Sequence, residues 1–405
     1  MGDHAAVLRM SLALFLVQAG FHGYTASMPL ALARAGRPDP EIGFIVGVAA
    51  VIQIAAALAA GVLIDRWGGL RLFALGAMAY LAASILLLLP GVEPAGSTAP
   101  FIVARLLQGI GIGMALPAGL SVVPRLVPHF RQGVALAIAG AGHNLALVLL
   151  PPLSIVVLDR YGLDGVAVLV AGLVLGALVI TVARPVRQLP AAVETGLARR
   201  RLGFAYRPSW AAPLAIMVLF VAHWGVVTAY LPQRAEAAGA NIGLFFAADG
   251  LFVLLARIPA GWLADRTPAL RPVLAGILLT AVGVLLLLPS PTTPMLVVAG
   301  ALTGAGAALI VTPLLLELAR RSGDADRGSA FALFSASFAL AIAIGSIGAA
   351  PLIDGAGFEA TLLVMVGALG LSAVVAVADR GLAVMAPAKA GASDADPRAL
   401  PPVGP

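Results

Sequence analysis

The chain contains no cysteine, which excludes disulfides, thiol catalysis and cysteine-based metal sites. Charged residues are also scarce, since they make up 11% of the 405 residues, against 61% for apolar residues. Soluble globular domains carry about 25% charged residues. The composition therefore indicates a protein whose solvent is not water.

Long apolar stretches follow one another along the chain. A bilayer core about 30 Å thick needs about 20 mainly apolar residues per helical crossing. Lipid cannot satisfy open backbone groups, and the alternating pattern of barrel strands is missing, so these stretches read as helices. We predict an all-α membrane protein with twelve transmembrane helices, at residues 8–33, 41–63, 70–90, 100–122, 132–158, 162–183, 211–234, 241–263, 271–289, 294–319, 328–352 and 358–380.

The net charge of +6 reflects where the basic residues lie. When loops are assigned alternately to the two sides of the membrane, nineteen basic residues fall on one side. The other side has only Arg34, Arg37, Arg160 and Arg234. Because basic loops face the cytoplasm, we predict a cell inner-membrane protein with both termini cytoplasmic. The charge is then a topology signal, and no nucleic-acid partner is expected.

The sequence repeats itself at an offset of about 200 residues, which predicts two similar halves. Residues 61–71 match residues 261–271, and at an offset of 195 Asp159 falls on Asp354. Parallel repeats of this kind are related by an axis along the membrane normal, with the substrate bound between them. We predict two six-helix bundles related by pseudo-two-fold symmetry. The predicted units are an N-terminal bundle at 1–183, a basic cytoplasmic linker at 184–210, a C-terminal bundle at 211–385 and a disordered cytoplasmic tail at 386–405.

The repeated segments resemble the loop between spans two and three of the major facilitator superfamily. The residues that carry this resemblance are Gly61, Asp65, Arg66, Gly68 and Arg71, and in the second copy Gly261, Asp265, Arg266 and Arg271. Pro268 stands where the second copy would have glycine. The resemblance implies a loop that latches the cytoplasmic side shut, with its Asp facing a helix N-terminus, where negative charge is stabilised. Alternatively, these charged residues only anchor helix ends at the membrane interface.

The fourth span carries Arg105, followed by Gln108 and Gly109. This resembles the Arg-x-x-x-Gly pattern of proton-coupled members of the family. An arginine inside a bilayer needs a partner or water, so we predict that Arg105 faces the cavity and takes part in proton coupling. The alternative is a side chain that reaches the outer interface. The fifth span has Ala146 and Leu147 where the drug-exporting branch has Gly-Pro, which leaves the direction of transport open.

Asp249 is the one acidic residue well inside a predicted span. A carboxylate that exchanges a proton with water in only one of two conformations can couple proton flow to transport. We therefore predict that Asp249 is the main proton-coupling residue. The alternative places it close enough to the outer interface to be solvated.

Three histidines, His22, His143 and His223, lie near the middle of their spans. A mid-span imidazole can titrate near neutral pH or contact a solute, although each histidine alone is also consistent with ordinary packing. His223 is predicted to join Arg105 and Asp249 in proton coupling. The predicted substrate-binding residues are Gln18, His22, Tyr24, Gln53, Gln108, His143, Asn144, Trp224, Tyr230 and Arg257.

These features together predict a secondary active transporter that works as a monomer and exports a small organic compound in exchange for protons. The alternative is a proton symporter that imports a sugar, an organic anion or an amino acid. An intramembrane enzyme would need clustered catalytic groups, for which no motif is present, so we predict that the protein is not an enzyme. We also expect no metal site and no cofactor. A receptor that does not transport would be recognised by the failure of solute to cross a sealed vesicle.

Overall fold

The computed structural model describes residues 2–128, 131–182, 206–322 and 326–383, and within these ranges the regular structure is helical. The α-helices are α1 Gly2–Gly23, α2 Ser27–Arg34, α3 Asp39–Trp67, α4 Gly69–Leu87, α5 Ala99–Val122, α6 Gln132–Val182, α7 Ala211–Ala237, α8 Ile242–Arg266, α9 Leu270–Leu285, α10 Thr293–Arg321, α11 Arg327–Ala343, α12 Ala350–Ala378 and α13 Arg380–Ala383. A π-helical turn, Ile344–Gly348, separates α11 from α12. Residues 184–205 of the predicted linker and the predicted tail lie outside the described residues.

Ten helical segments of the described residues are long and apolar enough to cross a membrane, with mean hydropathies of 1.4 to 2.5 in their most apolar windows. Two features explain why this count differs from the predicted number of twelve spans. Helix α6 runs through both the fifth and the sixth predicted spans, with Gly162 between them at φ 68° and ψ −168°. Helix α9 has only 16 residues. The chain is a multi-pass membrane protein, and the count of twelve stays a prediction.

The first predicted span consists of two helices, because the chain leaves the α-helix after Gly23. The Ser27 hydroxyl donates a 2.6 Å hydrogen bond to the Gly23 carbonyl across this break. Side-chain bonds of this kind satisfy backbone groups that the helix end leaves open. The break lies directly after Gln18 and His22, two of the predicted substrate-binding residues.

Glycines allow neighbouring helices to approach within backbone contact. A Cβ at Gly76 on α4 would lie 2.7 Å from the Gly111 carbonyl oxygen, and one at Gly276 on α9 would lie 2.6 Å from the Gly306 carbonyl oxygen. Close approach at small residues is the usual way in which helices associate in lipid. The two contacts are offset by 200 and 195 residues, the same offsets as in the sequence repeat.

Candidate functional site

Arg105 is buried inside the N-terminal half of the chain, with 7% of its surface exposed. Its guanidinium donates to the carbonyl oxygens of Ile45 and Val46 on α3, at 3.2 and 2.7 Å, and to Gln108 Oε1 at 3.0 Å. The alternative in which Arg105 reaches the outer interface does not describe this geometry. Arg105 instead ties α5 to α3, and its part in proton coupling stays a prediction.

Asp249 is also buried, with 4% of its surface exposed, so it is not solvated at an interface. The Thr303 hydroxyl of α10 donates to Asp249 Oδ1 at 2.7 Å. In the described part of the chain, no basic side chain forms an ion pair with this carboxylate within 4 Å. The partners of Asp249 are therefore a hydroxyl and its apolar surroundings.

Thr303 was not among the predicted site residues, although the repeat contains a signal for it. At an offset of 195 Thr303 falls on Gln108, and at an offset of 200 Asp249 falls on Ala49. The two crossings match in space, since a Cβ at Gly109 would collide with the Ala49 carbonyl and one at Gly304 with the Asp249 carbonyl. Each half therefore places polar side chains at the same helix crossing, with a cation in one half and an acid in the other.

Three predicted polar residues meet where α1 faces α6. The Gln18 amide nitrogen is hydrogen-bonded to His143 Nδ1, and the rings of His22 and His143 lie 5.0 Å apart. Gln18 and His22 are buried, whereas His143 is half-buried. Arg257 on α8 approaches the same part of α6, because a Cβ at Gly140 would lie 4.0 Å from Arg257 Nη1. These four side chains form what we call the histidine cluster: Gln18, His22, His143 and Arg257.

His223 and Trp224 lie on α7, away from the described contacts of the histidine cluster. His223 is buried and its Nδ1 bonds the Phe220 carbonyl of the preceding turn at 2.5 Å. Trp224 is half-buried and stacks on Phe245 of α8, with ring centroids 6.3 Å apart. His223 has no described contact with Arg105 or Asp249, so the predicted group of three proton-coupling residues is not assembled in this conformation.

The remaining predicted substrate residues occupy different surroundings. Tyr24 and Tyr230 are buried in helix packing, where their hydroxyls donate to Ser84 Oγ at 3.3 Å and to the Ser346 carbonyl at 2.5 Å. Asn144 is buried with no partner for its amide nitrogen among the described groups. Gln53 is half-buried on α3. The side chain of Gln53 is therefore more accessible to a substrate than those of the two tyrosines. The assignment of all four residues to substrate binding stays a prediction.

The repeated loops lie at one end of the molecule, which we call the motif end: residues 61–71 and 261–271. Gly68 adopts φ 85° between α3 and α4, a conformation that favours glycine. The Arg266 guanidinium lies 4.5 Å from the Trp262 ring centroid. The exposed motif residues are Gly61, Arg66, Arg71, Asp265, Arg266 and Arg271, while the side chain of Asp65 lies outside the described part. No ion pair from these loops to another helix occurs among the described side chains, so the latch stays a prediction.

The opposite end, which we call the closed end, is held by five charged residues: Arg34, Asp39, Asp159, Arg234 and Glu236. Arg34 Nη2 lies 2.5 Å from Glu236 Oε1 and 2.8 Å from Asp159 Oδ1, and Arg234 Nη2 lies 3.6 Å from Asp39 Oδ2. The pairs from Arg34 to Glu236 and from Asp39 to Arg234 join residues before and after the predicted linker. Sequence reasoning missed them, because it counted Arg34 and Arg234 only as topology signals.

Glycine contacts show the same difference between the two ends. A side chain on Gly43 would collide with the Tyr230 hydroxyl, and a Cβ at Gly250 would lie 3.0 Å from the Val148 backbone nitrogen. Further along the same helices, a Cβ at Gly61 or Gly261 would meet nothing within 4 Å. The halves of the chain therefore touch near the closed end, and neither of these two glycines at the motif end contacts the other half.

The described residues contain no group of three or more His, Asp or Glu side chains that could hold a metal ion. The polar side chains of the candidate site can exchange protons and form hydrogen bonds. Both suit the recognition of a solute.

The major facilitator superfamily model matches residues 10–241 and 214–397. An uncharacterized MFS-type transporter of Salmonella typhimurium is 26% identical over 311 residues, which cover 74% of this chain and 76% of that relative. One of Mycobacterium tuberculosis is 33% identical over 128 residues, and this match covers 30% of this chain and only 21% of the length of that relative. A crystal structure of the peptide transporter POT in complex with alafosfalin has a TM-score of 0.75 at 16% identity, over 93% of this chain and 95% of that one. At this identity the structural likeness concerns the fold alone.

Proposed function

The chain belongs to the major facilitator superfamily, and from this premise we propose that it exports a small organic compound across the cell inner membrane in exchange for protons. The transporter works as a monomer of two six-helix bundles with twelve transmembrane helices. The repeated glycine contacts and the kink at Gly162 support this plan. The two bundles rock about a central site, so that the site opens to one side at a time.

The difference between the two ends supports alternating access. Ion pairs and glycine contacts join the halves at the closed end, whereas the glycines of the motif end have open space around them. The excess of basic residues beside the motif end supports a cytoplasmic location for that end. The described conformation then corresponds to a transporter that is open to the cytoplasm and ready to load a solute for export.

The burial of the Asp249 carboxylate is the observation that supports the proposed proton coupling. A carboxylate with no cation beside it is costly to keep ionised away from water. Loss of its proton would therefore be favoured in a conformation that admits water, and uptake would be favoured in one that excludes water. This difference makes the conformational change depend on protonation.

Growth of an efflux-deficient bacterium on a panel of drugs, dyes and toxic metabolites tests this function. We expect the wild type to confer resistance to an organic compound and to lower its accumulation in cells. Asp249→Asn should abolish both effects at equal membrane expression, because the amide retains an acceptor for Thr303 but cannot exchange a proton. Asp164→Asn is the matched control, since Asp164 is exposed.

Each result leads to a different conclusion. Resistance that Asp249→Asn leaves untouched would refute proton coupling through this residue. Uptake in place of resistance, driven by an inward proton gradient in vesicles, would establish the import of a sugar, an organic anion or an amino acid instead. A protein that moves no solute into or out of vesicles would refute transport.

A further inference from the structure

Arg257 is a cation with no acidic partner in the described part of the chain. Its side chain is exposed, and no ion pair or hydrogen bond to it occurs among the described groups. It nevertheless lies within α8 and reaches across to Gly140 of α6. An unpaired arginine at membrane depth is costly, so such residues face water or an anion. Arg257 therefore provides positive charge between two helices of different halves.

His143 adds a second hydrogen-bond donor close to this charge. Gln18 Nε2 and His143 Nδ1 are hydrogen-bonded, and in the tautomer in which Gln18 donates, the neutral imidazole carries its own hydrogen on Nε2. His143 and Arg257 are near enough to interact electrostatically. The half-buried imidazole N–H and the guanidinium are thus both hydrogen-bond donors, and no described carboxylate is paired with either of them.

Unpartnered polar atoms belong to the two side chains that contact His143, and this observation is independent of Arg257. Both ring nitrogens of His22 and the Oε1 atom of Gln18 are buried without a hydrogen-bond partner among the described groups. Buried polar atoms nearly always have partners, and leaving them unpaired costs about 1–3 kcal/mol each. A cluster of such atoms next to a free cation fits a binding site that lacks its ligand.

Asp249 does not neutralise this charge. It lies eight residues before Arg257, about 12 Å along an ideal helix, and its carboxylate accepts the hydrogen bond from Thr303. The site therefore keeps a net positive character.

We propose that the histidine cluster binds the carboxylate of a small organic anion, with Arg257 and the His143 Nε2–H as its donors. This inference rests on the proposed transport function and deepens it by giving the substrate class. Arginine binds carboxylates with two parallel hydrogen bonds. His22 and Gln18 supply further polar contacts to the bound molecule.

The absence of cysteine allows a direct test of the charge at this site. In Gly140→Cys, the chain has a single thiol close to Arg257, at a position where a Cβ meets no atom closer than 4.0 Å. We would measure how fast this thiol reacts with sulfonatoethyl methanethiosulfonate, an anion, and with its trimethylammonium analogue, a cation. We expect the anion to react faster relative to the cation than it does with a free thiol. Arg257→Gln should lower this ratio by about tenfold. Removing a unit positive charge about 6 Å away in water slows the reaction of the anion and speeds that of the cation, and both effects lower the ratio.

Arg160→Gln is the matched control, since Arg160 is an exposed arginine outside the site. We expect it to leave the ratio unchanged. Equal ratios in Arg257→Gln and Arg160→Gln, or a thiol that neither reagent reaches, would overturn the proposal.

Protection of the thiol tests the ligand class with three probes of similar shape: benzoate, benzamide and benzamidinium. We expect benzoate alone to slow labelling, and this protection should be lost in Arg257→Gln and partly kept in Arg257→Lys. Protection by benzamide or benzamidinium, or by none of the three, would overturn the proposal. Labelling requires no transport, so intact protection in a protein that exports nothing would refute the proposed function and leave the anion site in place.

Discussion

The crossing of α8 and α10 at Gly304 yields a prediction that can be worked from distances. In Gly304→Ala the new Cβ would collide with the Asp249 carbonyl oxygen and lie 2.9 Å from both its carbonyl carbon and its Cα. Ordinary contact begins at 3.4 Å, so the two carbon contacts alone require a separation of about 0.5 Å, and the closer contact with the carbonyl oxygen requires more. The contact is with backbone, which no side-chain rotation can relieve. Overpacking of this kind costs about 1–3 kcal/mol.

The same separation disturbs the site. The hydrogen bond from Thr303 to Asp249 measures 2.7 Å, and lengthening it by about 0.5 Å or more takes it beyond the range of about 2.5–3.0 Å for O–H···O hydrogen bonds. Gly304→Ala is therefore expected to weaken both the fold and the proton coupling that we propose for Asp249.

Gly367→Ala is the matched control, because Gly367 is also helical and a Cβ there would meet nothing within 4 Å. Alanine favours the helix over glycine by about 1 kcal/mol, so this variant should be neutral or slightly more stable. Unfolding equilibria in mixed micelles of SDS would measure both free energies. If Gly304→Ala proves as stable as Gly367→Ala, the close approach of α8 and α10 is wrong.

Two further predictions concern an ion pair between the halves and a buried hydrogen bond within the C-terminal half. Glu236→Gln removes the charge that faces Arg34, and because both side chains are more than one-third exposed, the loss should be at most about 1 kcal/mol. We expect the equilibrium between the closed and open forms of this end to shift toward the open form by up to about fivefold. Spin labels at Tyr161→Cys and Glu359→Cys would show this shift as longer distances. Unchanged distances would show that the ion pair does not hold this end closed. Tyr230→Phe removes the buried hydrogen bond to the Ser346 carbonyl at the π-helical turn, which should lower the free energy of unfolding by about 1–2 kcal/mol. Tyr161→Phe is its control, because Tyr161 is 68% exposed, and equal stability of the two variants would contradict the prediction.

Much of the fold follows from the sequence, because apolar length and the repeat are properties of the chain itself. The family that residues 61–71 and 261–271 suggest is confirmed by the family model. Helix ends were harder to predict. Gly162 has a non-helical backbone conformation, so the residues of α6 form two helical stretches that meet at a kink between the fifth and the sixth predicted spans.

The sequence indicated which types of residue form the candidate site, but only in part which of these residues lie together in the fold. Gln18, His22 and His143 were all chosen as mid-span polar residues, and the fold brings them together. Thr303 was missed because a threonine in an apolar helix carries no signal unless the repeat is read at that position. The sequence does not distinguish Tyr24 and Tyr230 from residues that line a cavity. Only the packing shows that their hydroxyls bond to neighbouring helices.

Helix α8 connects the two proposed roles. It carries Asp249 at its crossing with α10 and Arg257 two turns later, facing α6 of the other half. A helix moves as a rigid element, so a change in how tightly Asp249 holds Thr303 also changes where Arg257 lies relative to His143. An anion bound at the histidine cluster would favour one position of α8, and a proton on Asp249 would favour the same or the opposite position. The two ligands are then linked through one helix, and by thermodynamic reciprocity each must alter the affinity for the other by the same factor.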